Sequence, residues 1–463
     1  MYFLRRLLLL PFSLLLLSLL CFGLRELTPG DPVASALPPG DSRLAATSPA
    51  AYDRVYQRAA VRLNRQLPPF YFSVRNGALP DTLHRIVRPA ERDMLRALTL
   101  VAGNWEGVSD YYRTLRQTAY PSSTATDRTP AESLVALRLL QMDDPEQITA
   151  TLQQMDRDGQ APELIAAHNR AMNAGSRSRL LGIKVAWNGT QNQYHQWLTD
   201  LLTGDLGVSY LDRQPVSAKI ARALPWTLLL NFLAVLLMLV ISVPLGLYLA
   251  GNAGSTVDRI TTVLLFLLFG IPAFWTATLL ANFFTTPAYG MDFFPSMGLG
   301  NLPADAGWWE TLTVRGSHLF LPVVCLAYPA LAYVSRHLRQ STLVELGKDY
   351  VNTARLKGLT ERQIRWRHVF RNASFPLITI FGGLFPRLLA GSVVIERIFN
   401  LPGMGQLLYV SAVDGDWPVV IVLVLLIGVL TALGLLVADL LYALVDPRVN
   451  LNRAPLKQPS IAP

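Results

Sequence analysis

Leu7 to Leu24 reads LLLLPFSLLLLSLLCFGL, eighteen residues without a charge. At 1.5 Å per residue, a helix of that length just covers a hydrocarbon core of about 30 Å, so the stretch predicts a membrane span. Arg5 and Arg6 would equally suit the basic end of a signal peptide. The span is preferred for two reasons. The run exceeds the usual signal-peptide apolar region of about 7 to 15 residues, and it continues into Arg25-Glu26-Leu27-Thr28-Pro29 without a small-residue cleavage site.

Five further apolar stretches lie near residues 224–250, 260–284, 318–335, 375–395 and 418–445, which makes six expected spans. Pro244, Pro272, Pro322, Pro329, Pro376 and Pro386 fall inside them. Membrane helices tolerate proline because neighbours satisfy the freed carbonyls, so kinked helices are expected. Gly246, Gly270, Gly382, Gly383 and Gly391 are expected to allow close helix approach.

The whole chain has 463 residues, 51% hydrophobic and 16% charged, with a formal net charge of +9. That composition excludes a disordered chain, and two cysteines exclude a disulfide scaffold. The excess positive charge is a topology signal, not a nucleic-acid signal. Residues 336–374 carry nine Lys/Arg against Glu345, Asp349 and Glu361, and Arg5, Arg6, Arg448, Arg453 and Lys457 flank the ends. Segments 285–317 and 396–417 hold one basic residue each against three acidic ones. Basic short loops mark the cytoplasmic side, which puts both termini inside and residues 25–223 outside. Cys21 and Cys325 both lie in expected spans, so disulfides play no part in the outer segment.

The expected fold is an all-α membrane protein of six transmembrane helices with a mostly helical external domain between the first and second. It divides into a first span (1–24), an external insert (25–223), a five-helix core (224–450) whose cytoplasmic loop is 336–374, and a cytoplasmic tail (451–463). Within the insert, Ser48-Pro49, Thr129-Pro130 and Asp144-Pro145 read as helix starts, with Glu132 and Gln147 placed to complete capping boxes. Five or six helices and little strand are expected there. Tyr52, Tyr56, Phe70, Tyr71, Phe72, Trp105, Tyr111 and Tyr112 supply side chains large enough for a core. His84, His168 and His195 lack ligand spacing, so no metal site is expected. The sequon Asn188-Gly189-Thr190 is too short a match to carry a role.

The cytoplasmic loop SRHLRQSTLVELGKDYVNTARLKG is expected to be one helix that ends at Gly358. A second helix follows, with Thr360 as cap and Gln363 completing its box. Two short helices joined at a glycine form a knob that a soluble partner could grip, although basic charge alone says only that the loop is cytoplasmic.

These residues resemble the binding-protein-dependent transport permeases, and within them the dipeptide/oligopeptide/nickel branch of ABC importers. Asp349-Tyr350-Val351-Asn352-Thr353-Ala354-Arg355-Leu356-Lys357-Gly358-Leu359 looks like that branch's form of the coupling ("EAA") motif, and His368 through Pro376 looks like its continuation. Residues 204–209, 271–275, 396–405 and 439–448 are also similar to family motifs. The likeness covers residues 1–33 and about 195–450. Asn352 and Thr353 depart from the Glu-Ala of the wider superfamily. The region before Gly204 is some hundred residues longer than usual, and Pro386-Arg387 replaces small residues.

The resemblance implies a type I importer permease in a bacterial inner membrane. It would be paired with a second homologous permease and two cytoplasmic ATPases, and fed by an external solute-binding protein. A helix at about 343–357 would couple to the ATPase through Asp349, Tyr350, Asn352, Thr353, Ala354, Arg355, Lys357, Gly358 and Leu359. The chain contains no G-x-x-x-x-G-K-[ST] loop, so no cofactor is expected on it, and ATP is expected on the partner. Arg387 near mid-span would meet either an anionic substrate group or a partner such as Asp439. Asn231 would serve as interhelical glue or line the path. Glu396 and Asp446, at span ends, are expected to be solvated. The rival classes are a membrane-embedded enzyme, for which no HExxH or GxSxG is present, and a sensor or scaffold that uses the external domain. The solute is not legible from the sequence: the branch resembled favours peptides, but nickel chelates, glutathione-like thiols and opines are carried by similar permeases.

Overall fold

A computed structural model describes residues 2–28, 30–42, 48–80, 82–120, 130–173, 182–287, 291–295, 297–303, 305–374, 377 and 393–445. It divides into two compact units, Pro29–Asp205 and the combination of Met1–Thr28 with Leu206–Pro463.

The second unit begins with α1 (Tyr2–Leu27), a helix that continues through Pro11. The insert unit follows, with α2 (Pro49–Arg62), strand β1 (Phe72–Asn76), α3 (Pro89–Ala102), α4 (Trp105–Ala119), α5 (Pro130–Leu139), α6 (Pro145–Arg157), α7 (Pro162–Asn173), strand β2 (Ile183–Trp187) and α8 (Gln193–Thr203). Helices α3 to α7 enclose a core of Met94, Leu95, Leu98, Val108, Tyr111, Leu115, Leu139, Ile148, Leu152 and Leu164, all fully buried or nearly so. Gly107 lets α4 approach α7: a Cβ there would sit 2.9 Å from Ala171 Cα. Proline opens five of these helices, as its fixed φ suits the first helical position. Ser48 makes no side-chain cap bond, and Asp144 accepts from Glu146 N, not from Gln147 at the box position. Thr129 lies outside the described residues.

Strand is confined, among the described residues, to one short ribbon, in keeping with the little strand expected. β1 and β2 pair antiparallel, Phe72 against Trp187, Val74 against Val185 and Asn76 against Ile183. The three histidines of this unit serve structure. His84 Nε2 lies 2.9 Å from Gln66 O, His195 Nδ1 lies 3.0 Å from Tyr71 Oη, and His168 is buried edge-on to Tyr111. Asn188 Nδ2 donates to Phe70 O at 2.9 Å.

The rest of the unit that contains α1 is built mainly of apolar helices. α9 (Val216–Gly251), α10 (Thr256–Gly270), α11 (Ala273–Thr285), α12 (Trp308–Leu346), α13 (Asp349–Leu356), α14 (Met404–Val413) and α15 (Trp417–Val445) make up most of it. Helices α1, α9, α12 and α15 are each long and apolar enough to cross a membrane. At 36 and 39 residues, α9 and α12 are about 54 and 58 Å long and outrun a 30 Å hydrocarbon core. They pack along one another: a Cβ on Gly246 would meet Leu338 Cβ and Ser335 O at 3.0 Å, the close approach expected of that glycine. α1 packs on α15, where Leu17 Cδ2 would lie 2.3 Å from a Cβ at Gly428. Gly270 has nothing within 4 Å and brings no helix close, because it ends α10 at a bend.

That bend falls at Pro272, within the expected third span. α10 and α11 turn by 95° across Ile271-Pro272, so the apolar stretch is two helices. Pro272 lacks an N–H and disfavours helical geometry at the residue before it, and Ile271 is extended at φ −83°, ψ 125°. Tyr328 Oη donates to the Ile271 carbonyl at the bend at 2.7 Å and lies 3.0 Å from Thr276 Oγ1. Among the described residues there are four spans, or five if the bent pair counts as one. Most of the fifth expected stretch, with Arg387, Pro386 and the glycines at 382, 383 and 391, lies outside them.

Candidate functional site: the loop after α12 and its supports

The loop expected to be one helix through Lys357 is broken. α12 ends at Leu346; Gly347 follows, and Lys348 is extended at φ −87°, ψ 150° before α13 restarts at Asp349. Glycine is a poor helix residue, and here the chain uses it to leave α12. Glu345 staples the break, accepting from Tyr350 Oη at 2.8 Å and pairing with Lys348 Nζ. Tyr350 holds its proton above the usual phenol range, chiefly through burial.

Beyond α13 the expected punctuation is present. Gly358 is left-handed at φ +79°, and Thr360 and Gln363 form the reciprocal capping box. The capped helical stretch runs to Ala373 and contains a π-helical turn at Ile364–Val369, a geometry often found at functional sites.

The loop has two faces. Val351, Ala354, Ile364, Val369 and Ala373 are buried in the same core as Leu230, Leu338 and Leu401. Tyr350 and Leu359 pack against that core. Asp349, Asn352, Thr353, Arg355, Lys357 and Gly358 are exposed, as are Leu356 at 89% and Trp366. Of the nine residues the coupling motif singled out, Ala354 therefore anchors the helix and six face outward. Arg355 donates to Glu361 at 2.7 Å, and its guanidinium holds the Glu361 carboxyl below the ordinary range. Two further contacts fix the seat. Arg339 grips Asp258 through two bonds of 2.6 and 2.7 Å, while Gly254 N donates to the same carboxylate at 2.9 Å. The Arg365 guanidinium lies over Gly251, where a Cβ would come within 1.5 Å of Nη1.

The other end of α9 carries a second set of polar groups. Glu396, expected to be solvated, is fully buried. It accepts from Thr227 Oγ1 at 3.0 Å and from Gln406 N at 3.0 Å, the latter in the first turn of α14. Met404 N donates to Thr227 Oγ1 at 2.8 Å. Gly403 leaves room for the carboxylate, since a Cβ there would lie 2.4 Å from Glu396 Oε2. The correction has a physical reason: a carboxylate can be buried when hydroxyl and amide donors at a helix N-terminus replace its water. Nearby in the chain, Asp416 is also fully buried. It takes bonds from Ser209 Oγ (2.5 Å), Tyr210 N (2.9 Å) and Lys219 Nζ (3.2 Å). Lys219 also reaches Asp212 at 3.0 Å. Burial alone would raise the Asp212 carboxyl, but bonding from Lys219 and Ser209 outweighs it and the shift is downward.

Asn231 is buried, and its Nδ2 donates to Thr227 O of its own helix at 2.8 Å; the described bond is not an interhelical one. Arg387 lies outside the described residues, as does the side chain of Asp439. Sequence reading passed over Thr227, Asp258, Arg339 and Lys219. The available signal was a polar side chain within or beside an apolar helix, which needs a charged or hydroxyl partner from elsewhere in the chain.

Several apolar helices of spanning length, knotted by buried carboxylates and carrying a half-exposed loop of two short helices, define a polytopic membrane protein. Residues 242–451 match the model of the family "binding-protein-dependent transport system inner membrane component". The oligopeptide transport system permease protein AppB of Bacillus subtilis is 38% identical over 259 residues, which is 56% of this chain and 80% of that protein. The peptidoglycan transport system permease protein YejB of Agrobacterium fabrum is 35% identical over 251 residues, 54% of this chain and 69% of that protein. The inner membrane ABC transporter permease protein YejB of Escherichia coli O157:H7 is 34% identical over 260 residues, 56% and 71% of the two chains. The chain belongs to the binding-protein-dependent transport permeases and, within them, to the peptide ABC transporter permeases; it is a multi-pass inner-membrane protein.

Proposed function

We propose that this chain is one transmembrane half of an ATP-driven importer for peptides, that α13 is its coupling helix, and that a solute-binding protein delivers the cargo. Six spans, cytoplasmic termini and an external residue 29–205 unit complete this reading. A second homologous permease and two cytoplasmic ATPases, which bind the ATP, are its partners. The observation that carries it is the two-faced α13. Val351 and Ala354 root it in the core shared with α9 and α12, while Asn352, Thr353, Arg355, Leu356 and Lys357 are presented outward between two glycine breaks. A helix so mounted transmits force in both directions: a partner that moves it must move α12 and α9 with it, as biasing a two-state bundle from one site requires. The peptide cargo is supported by the names of the relatives, the AppB protein above all.

The test is transport by two variants. Gly358→Pro cannot adopt φ +79°, and Ala354→Arg puts a charge where the side chain is buried. Both should abolish peptide uptake and ATPase copurification while the protein still inserts in the membrane. Uptake at wild-type rates in either would end the assignment of α13.

A further inference from the structure

Gly251, the last helical residue of α9, is a glycine that its backbone does not require. Its φ is not left-handed, unlike that of Gly254 at +83°, and alanine is the better residue inside a helix. What the position requires is space. The three atoms nearest a Cβ built there all belong to Arg365: Nη1 at 1.5 Å, Cζ at 2.5 Å and Cδ at 3.1 Å. The Arg365 side chain therefore lies along the glycine. Its Nε donates to Glu361 O at 3.3 Å, and its neighbour Ile364 is fully buried in the core, so the stem starts from a fixed point in the π-helical turn. α9 has no basic residue of its own in its last turn, so the guanidinium supplies the cation that a helix C-terminus favours.

We propose that Arg365 is a positioning residue for transport: by bearing on Gly251 it passes movement of the 347–373 loop to the corner between α9 and α10. The proposal rests on α13 being the coupling helix. The corner is tied tightly enough to receive such a push. Asn252 N donates to Tyr248 O and Ser255 N to Asn252 O, both at 3.1 Å, and Ser255 Oγ accepts from Asp258 N at 3.2 Å to cap α10. Asp258 also accepts from Gly254 N within the corner and from Arg339 of α12. α10 thus starts from a turn that two arginines hold, Arg339 by a paired charge and Arg365 by packing on the end of α9. The first ties α10 to α12, and the second ties it to the loop. A methyl at residue 251 would push the guanidinium off the helix end, so Gly251 is as necessary to the link as Arg365.

The experiment uses the complex of the full chain with its partner permease and ATPases in vesicles. Cys21 and Cys325 are replaced by alanine, and an environment-sensitive fluorophore is attached at exposed Val257→Cys or Ile260→Cys on α10. Trapping the ATPases with ATP and vanadate should shift the emission of this parent. Gly251→Ala and Arg365→Ala should each reduce that shift about threefold or more. Adding Gly251→Ala to Arg365→Ala should reduce it no further, because with the guanidinium gone the methyl meets no side chain. All variants should copurify with the ATPases, and their unfolding midpoints, which a merely structural role would lower, should stay near the parent's. A full shift in Gly251→Ala, or reductions that add in the double variant, overturns the proposal. Loss of ATPase copurification overturns it by making Arg365 a docking residue. A parent without a shift at either probe site does so as well, because α10 then does not respond to the ATPases. Ala354→Arg, run in parallel, separates the two readings. If it keeps both copurification and the shift, α13 is not the coupling helix; if it loses them while Gly251→Ala keeps the shift, only the role of Arg365 fails.

Discussion

Two levels of α9, Thr227 and Gly251, about 36 Å apart along the helix, are fastened by polar groups in opposite regimes. At the start of the helix Asp416 and Glu396 are fully buried, and each is satisfied by donors from segments distant in the chain. At its far end the loop of residues 347–373 keeps its ion pair, Arg355 with Glu361, in the open, and only Asp258 is buried, gripped by Arg339. The same residue types therefore do different work. A buried carboxylate must keep its partners, since losing one strands a charge away from water, whereas an exposed pair competes with solvent and contributes little. The first end is built to stay fixed. The second is built to present a surface.

Removing a partner from the buried end should have the largest effect. Lys219→Met leaves Asp416 with Ser209 and Tyr210 N but no counter-charge. The expected loss is about 3 to 5 kcal/mol, seen as a large fall in the unfolding midpoint in detergent. The double variant Lys219→Met with Asp416→Leu should recover much of it, because removing both charges removes the burial cost. If the single variant unfolds at the wild-type midpoint, Asp416 is not the closed site its bonds describe.

A smaller cost attaches to the neighbouring knot. Thr227→Val keeps the shape of the side chain but removes the donor to Glu396 Oε1 and the acceptor for Met404 N. Leaving two buried polar groups short of one partner each should cost about 1 to 3 kcal/mol. Thr227→Ser, which restores the hydroxyl, should return most of it. A valine variant as stable as wild type would show that the knot is incidental, and the contrast between the two ends would weaken.

The contrast also explains what was legible in the sequence. Spans announce themselves locally, so α1, α9, α12 and α15 could be read from their own apolar runs. Gly358 and the Thr360–Gln363 box are likewise local, three residues deciding a cap. The break at Ile271-Pro272 was legible in principle from the rule for the residue before proline, but the continuous apolar run outweighed it. Glu396 could not be read that way. Beside Arg397 at a span end it looks solvated, and its partners show otherwise: Thr227, distant in the chain, and the amide of Gln406. The β1–β2 pairing also joins residues more than a hundred positions apart. The residues of the α13 face sit in one short stretch, which is why they could be singled out as a motif.

The exposed pair provides the smallest effect and the sharpest check. Arg355 donates to Glu361 at 2.7 Å and holds its carboxyl below the ordinary range. A carboxyl whose folded value is depressed contributes stability that is fully present above its unfolded value, about 4.3, and is lost as pH falls through the lower folded value. Whatever the pair contributes is therefore present at neutral pH and disappears on acidification. Because both side chains are open to water, Glu361→Gln should leave the unfolding midpoint at pH 7 within measurement scatter and should flatten only the acidic limb of its pH dependence. Raising the salt concentration should shrink even that difference. Arg355 is also part of the outward face of α13, so Arg355→Ala should reduce peptide uptake far more than it reduces stability. If Glu361→Gln instead lowered the midpoint as much as Lys219→Met, exposure would not be what separates the two ends of α9, and the loop would have to be regarded as part of the rigid frame.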